Sequence, residues 1–132
     1  MRFVHLSDLH LGKSFYGYDL LEDQAWMLER AVEIIAGADP EFLVLAGDIY
    51  DRAVPSVEAI RLFDAFLMKA VAARPALKVV IIPGNHDSAG RLAFGSAFLA
   101  GSGVKIVTQA PQAAADAAPA AAAPPAALPA PG

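Results

Sequence analysis

Four short apolar runs punctuate the chain: Arg2 to Leu6, Phe42 to Ala46, Lys78 to Ile82 and Val104 to Val107. Each has Ser, Gly or Pro directly at one end, at Ser7, Gly47, Pro83 and Gly103, as a short strand running to or from a turn does. The run after Lys78 is apolar at every position, as suits a central parallel strand covered on both faces. Between the first two runs, Leu21, Ala25, Leu28, Val32 and Ile35 recur at helical spacing. Asp19-Leu20-Leu21-Glu22 has the form of a capping box with Asp19 as N-cap, and Gly37 and Pro40 mark the stop. Trp26 flanks this stripe and is expected to pack at its edge. A second helix is predicted from Ser56, its N-cap, to about Ala72. It carries one stripe at Ile60, Phe63, Leu67 and Val71, and an adjoining one at Leu62, Phe66 and the stem of Lys69. So wide an apolar surface is explained either by burial within the chain or by a second contact such as a subunit. Leu92, Phe94, Phe98 and Leu99 predict a short third helix, stopped by Gly101 and Gly103. The elements alternate as β-α-β-α-β-α-β, an α/β fold with a mostly parallel sheet and right-handed crossovers.

Composition restricts the folded part. From Ala110 to Gly132 there are thirteen Ala and six Pro among 23 residues. Scattered prolines break the helix that alanines favour, and small side chains bury little area. Residues 110–132 are therefore expected to be a disordered tail, and residues 1–109 the folded unit. Ten Lys and Arg against fourteen Asp and Glu give a net charge of -4 with no basic block, so charge alone does not indicate a nucleic-acid binder. No cysteine is present, which fits a reducing compartment. No run approaches membrane-spanning length and no leader pattern opens the chain, so a cytoplasmic protein without membrane contact is expected.

Chemistry gathers where three of the predicted strands end. The first leads into Ser7-Asp8-Leu9-His10, the second into Gly47-Asp48-Ile49-Tyr50-Asp51-Arg52, and the third into Pro83-Gly84-Asn85-His86-Asp87. In open α/β sheets, ligands bind beyond the carboxyl ends of the strands, so these loops are placed to converge. Any one of them reads as an ordinary strand-end turn; three together favour a metal centre. His5, inside the first strand, reads instead as a core histidine. Carboxylate, imidazole and amide donors suit Mn, Fe or Zn better than a thiolate-seeking ion. Two ions roughly 3.5 to 4 Å apart need an anionic bridge, and Asp48 is the residue placed to supply it. His86 is then free to donate a proton to a leaving oxygen, with Asp87 or Asp51 holding its other nitrogen. Lys13, Arg52 and Arg91 are the candidate phosphate contacts, weighed against ordinary solvated or ion-paired surface cations.

Asp8-x-His10, Gly47-Asp48-x-x-Asp51 and Gly84-Asn85-His86-Asp87 resemble the first three motifs of the calcineurin-like metallophosphoesterases. The longer strings His5 to Lys13 and Gly47 to Ser56 are similar to the SbcD-type nuclease branch of that superfamily, and the likeness runs from Met1 to about Val107. It implies that Asp8 and His10 bind one ion, Asp48 bridges, Asn85 binds the second, and His86 is the catalytic histidine. It further implies two divalent ions, Mn foremost, and a homodimer through Ser56–Ala72 and Arg91–Leu99. The implied partners are DNA and an SbcC-type, SMC-like ATPase, and the implied activity is exonuclease and endonuclease cleavage.

The resemblance also implies a second half with further histidine ligands, including a Gly-His-x-His string. The histidines here are His5, His10 and His86. The chain is therefore expected to act as the N-terminal half of such a phosphoesterase, weak or inactive alone. Two other readings remain at this point: a phosphoesterase acting on nucleotides or phosphoproteins, and a non-catalytic dimerisation module.

Overall fold

A computed structural model describes residues 1–85, 87–93 and 100–107. The expected tail at 110–132, His86, and residues 94–99 of the third predicted helix lie outside the described residues. Strands β1 (Phe3–Ser7), β4 (Phe42–Ala46), β5 (Lys78–Ile82) and β6 (Val104–Ile106) form one sheet in the order β1-β4-β5-β6, every neighbouring pair parallel. Helix α1 (Leu21–Ala38) connects β1 to β4, α2 (Val57–Ala73) connects β4 to β5, and the short α3 (Ala89–Leu92) follows β5. The expected α/β architecture is thus present. One addition was not anticipated: a small antiparallel hairpin of β2 (Ser14–Phe15) and β3 (Tyr18–Asp19) stands between β1 and α1.

Strands added in one direction with right-handed crossovers place successive helices on the same sheet face, and α1 and α2 contact each other. Leu43, Leu45, Val79, Ile81 and Val104 face that layer. They form one core with Leu28, Ala31 and Ile35 of α1 and Ala59, Phe63, Phe66, Leu67 and Ala70 of α2. The alternate residues point to the opposite face, where Phe3, His5, Ser7, Lys78, Ile82 and Lys105 are exposed and Phe42, Val44, Ala46 and Val80 are half-buried. The expectation that β5 is covered on both faces is therefore corrected: its apolar run reflects cover on one face and partial shelter on the other. His5 is corrected with it, because its position in the register places it on the open face rather than in the core.

Helix ends follow local chemistry. The Ser56 side chain accepts a hydrogen bond from Ala59 N–H at 3.2 Å, as expected of an N-cap. At α1 the cap position falls on Leu20, and Asp19 instead accepts from Leu21 N–H at 2.9 Å. Trp26 is not packed: it is 66% exposed, with the Arg30 guanidinium 5.5 Å above its ring.

Candidate metal centre

Beyond the strand ends, the first two loops continue the sheet in miniature. Asp8 N–H donates to Gly47 O at 3.1 Å, His10 N–H to Asp48 O at 2.9 Å, Leu11 N–H to Ile49 O at 3.0 Å, and Asp51 N–H to Leu11 O at 3.1 Å. Polar and apolar residues alternate along this extension. Leu9, Leu11 and Ile49 turn inward and are buried, which sends Asp8, His10 and Asp48 to the rim. Their backbones are unusual: Asp8, His10 and Asp48 have φ of 53°, 45° and 42°. Left-handed conformations in non-glycine residues cost about 1–3 kcal/mol each and persist where surrounding bonds over-determine them. Here the cross-loop hydrogen bonds do so.

The side chains converge. Donor atoms of Asp8, His10 and Asp48 all lie within 4.8 Å of one another. His10 Nε2 stands 3.9 Å from Asp8 Oδ1 and 3.7 Å from Asp48 Oδ2, while its Nδ1 is 3.1 Å from Asp51 Oδ1. A histidine held at one ring nitrogen by a carboxylate presents the other to the cluster in a fixed orientation, the arrangement common to metal-ligating imidazoles. Asp48 is buried, at 7% exposure, and Asp8 is exposed, so the cluster opens outward from Asp48. The Asn85 amide also approaches Asp48, lying 3.1 Å from both of its carboxylate oxygens. That contact suits either an amide nitrogen donating to the carboxylate or two sets of oxygens flanking a cation. Two oxygens sharing one octahedral ion at about 2.1 Å are roughly 3 Å apart. The donor set thus fits hard divalent ions on both chemistry and spacing.

Two residues hold the loops without joining the cluster. Asp87 accepts from Ile49 N–H and Gly84 N–H with one oxygen and from Tyr50 N–H with the other, each at 2.9 Å. It stitches the third loop to the second. Gln24 does the same for the first loop, donating to His10 O at 2.9 Å and Leu9 O at 3.3 Å while accepting from Gly12 N–H at 3.1 Å. Sequence reading missed Gln24, although a signal existed. It falls between Leu21 and Leu28 on the inward stripe of α1, where a lone polar side chain needs a buried partner.

The expectation that Asp51 or Asp87 orients His86 concerns a residue outside the described ones. Among the described residues, Asp51 pairs with His10 and Asp87 with backbone amides. Lys13, Arg52 and Arg91 are exposed, and among the described residues none of the three forms an ion pair. Tyr50, beside the cluster, packs edge-on against Phe63 at 5.7 Å. Burial, then the Asp64 and Asp87 carboxylates, push its hydroxyl pKa far up, so it stays protonated.

Gly84 permits the close approach of the second and third loops. A Cβ at this position would overlap the Asp48 backbone nitrogen and carboxylate. Gly84→Ala is expected to push Asp48 aside and weaken Mn²⁺ binding at least about tenfold, the lower range seen when a supporting partner is lost. Calorimetric titration would check it; unchanged affinity would show that Asp48 need not sit where it does.

Sheet, rim and donor set together outline a candidate metal centre, and comparison with known proteins gives the family. The sequence profile of the calcineurin-like phosphoesterases matches residues 1–115, and the chain belongs to that family. It is similar to the SbcD subunit of the SbcCD nuclease of Staphylococcus saprophyticus subsp. saprophyticus, with 38% identity over 96 residues, 73% of this chain. The chain spans about a quarter of that relative's length, the match covering 25% of it. Among the described residues, no helix is long and apolar enough to cross a membrane.

Proposed function

We propose that this chain contributes the N-terminal half of a two-metal phosphodiesterase centre that cleaves DNA. The observation that carries the reading is the convergence of Asp8, His10 and Asp48 donors within 4.8 Å, with the Asn85 amide 3.1 Å from the Asp48 carboxylate. Asp8 and His10 would hold one divalent ion and Asn85 would serve a second, with the Asp48 carboxylate available to both. Bound ions of this kind polarise a phosphoryl group and make a water more acidic. The chain's own part is to place donors. Asp51 fixes the His10 ring, Gln24 and Asp87 fix the loops, and buried Leu9, Leu11 and Ile49 keep the ligands turned outward. His86, next to Asn85 in sequence, is the proton donor to the leaving oxygen. Exposed Lys13, Arg52 and Arg91 are available to phosphates along the strand.

Similarity to the SbcD subunit of an SbcCD nuclease supports a nucleic-acid substrate and an SbcC-type partner; to these we add DNA as that substrate, manganese as the working ion and a cytoplasmic setting. A homodimer through α2 and the region from Arg91 to Leu99 completes the proposal. It is supported by an apolar cavity of about 590 Å³ between α2, α3 and the loop after Asp48, lined by Tyr50, Val54, Ile60, Phe63 and Leu92. Much of the wide apolar surface of α2 is consumed inside the chain, since Phe63, Phe66 and Leu67 are buried; Ile60 and Met68 remain exposed.

The test combines Mn²⁺ titration with cleavage of linear duplex DNA, with and without the ATPase. Weak manganese binding and metal-dependent cutting that the ATPase enhances are expected. Turnover of a generic phosphate ester without any DNA cleavage would move the reading to a broader phosphoesterase. A stable dimer that binds no metal would leave only an assembly module.

A further inference from the structure

The β2–β3 hairpin contributes no side chain to the buried core, yet it is the most aromatic stretch of the chain. Phe15, Tyr16 and Tyr18 are 59%, 96% and 65% exposed. Phe15 and Tyr18 are cross-strand partners, so their rings emerge on the same side of the ribbon. Tyr16 meets Phe15 edge-on at 4.6 Å with planes at 78°. The turn residues Tyr16 and Gly17 have φ of 49° and 78°, as a two-residue type I′ turn requires. That turn favours Asn-Gly. A tyrosine in its first central position is strained and almost wholly exposed, its ring touching only the equally exposed Phe15 among the described residues, and such an outlier points to a role outside the fold.

Position supplies the partner. The hairpin grows directly out of the metal loop: Lys13 N–H donates to His10 O at 3.1 Å, and Leu20 N–H closes the hairpin base on Lys13 O at 3.2 Å. At about 3.4 Å per strand residue the tip stands roughly 10 Å beyond Lys13. That is a reach of only a few nucleotides of a single strand. Of the other exposed aromatics, Phe3 lies on the open face of the sheet and Trp26 already has its own Arg30 over the ring; among the described residues no cation covers the hairpin rings. With a net charge of -4, stacking offers a way to hold a polyanion that does not depend on a basic surface.

We propose that the Phe15–Tyr16–Tyr18 tip is a base-stacking platform for single-stranded nucleic acid whose backbone runs through the metal centre. This rests on the phosphodiesterase reading above and deepens it: the strand entering the centre presents unpaired bases to the hairpin, as the frayed end of a linear duplex does. A small phosphate ester or a phosphoprotein offers the tip nothing to stack.

The test is anisotropy binding of a labelled phosphorothioate single-stranded oligonucleotide to the full chain. Tyr16→Asn removes the ring while suiting the left-handed turn, and is expected to weaken binding about tenfold with no loss of melting temperature. Tyr18→Thr in the same chain should weaken it further. Tyr16→Trp should restore affinity, with indole fluorescence quenched on addition of oligonucleotide. Binding by Tyr16→Asn as tight as the unaltered chain would overturn the inference, as would an unaltered chain that binds no oligonucleotide. A change of oligomeric mass in Tyr16→Asn without a change in DNA affinity would make the tip a protein interface and overturn it too. The two readings separate on Mn²⁺ titration of the unaltered chain. Metal binding with Tyr16-independent DNA binding removes only the platform; Tyr16-dependent DNA binding without metal removes the hydrolytic reading and leaves the platform standing.

Discussion

Asp48→Ala is expected to lower Mn²⁺ affinity by at least about 100-fold, the top of the range for losing a mere supporting partner of a metal ligand, and to abolish metal-dependent phosphodiester cleavage. Asp48 is the carboxylate that both His10 Nε2 and the Asn85 amide approach, at 3.7 and 3.1 Å. Its removal deprives both positions of their shared negative charge. Alanine also has to adopt the φ of 42° that Asp48 occupies, at about 1–2 kcal/mol. Asp48→Asn separates the two effects. Asparagine tolerates the left-handed region and keeps the side-chain shape, so the fold should melt as before while metal binding is lost with the charge. Paired calorimetric titrations and thermal melts read both quantities. Manganese binding by Asp48→Asn at the unaltered affinity would mean that the carboxylate is structural.

Asp87→Ala should lower the stability of the chain by about 3 kcal/mol. Three backbone N–H groups, those of Ile49, Tyr50 and Gly84, end on this one carboxylate. Hydrogen bonds to a charged acceptor contribute about 1.5–3 kcal/mol each, and water can recover part of that at a half-buried site. The remainder is a large share of a domain stability of about 5–15 kcal/mol and corresponds to a fall of roughly 10–20 °C in melting temperature. Asp87→Asn should fall between. Its oxygen can still take the paired donors from Ile49 and Gly84, but its NH₂ then faces the Tyr50 N–H, donor against donor. Loosening this joint also lets the second and third loops part, so manganese binding should weaken in both variants. A thermal melt of Asp87→Ala that matches the unaltered chain would show that the loops are held by something else.

Period and composition go far here because each main element is locally consistent. Phe42–Ala46 and Lys78–Ile82 are strands at the predicted bounds, and Ser56 caps α2 as its residue type demands. The hairpin escaped because its strands are two residues each, too short for alternation to register, and Tyr16-Gly17 is an uncommon spelling of a type I′ turn. Capping at α1 shifted by one residue because an Asp side chain can serve the first helical amide from just outside the cap.

What the residues determined unaided is which groups are chemically available and at which strand ends they stand: Asp8 and His10, Asp48 and Asp51, Asn85. That information is local, carried by an apolar run followed at once by Gly-Asp, Ser-Asp or Gly-Asn. Only the tertiary structure decided which of these carboxylates gather in the candidate cluster and which hold the scaffold. Asp51 and Asp87 are the same residue type as Asp48 and lie within a few positions of ligand candidates, yet one braces His10 and the other gathers three backbone amides. Their roles depend on hydrogen bonds between loops 37 to 41 residues apart in sequence. No local pattern encodes such pairings, because the partner that fixes each side chain is brought up by sheet register rather than by neighbouring sequence.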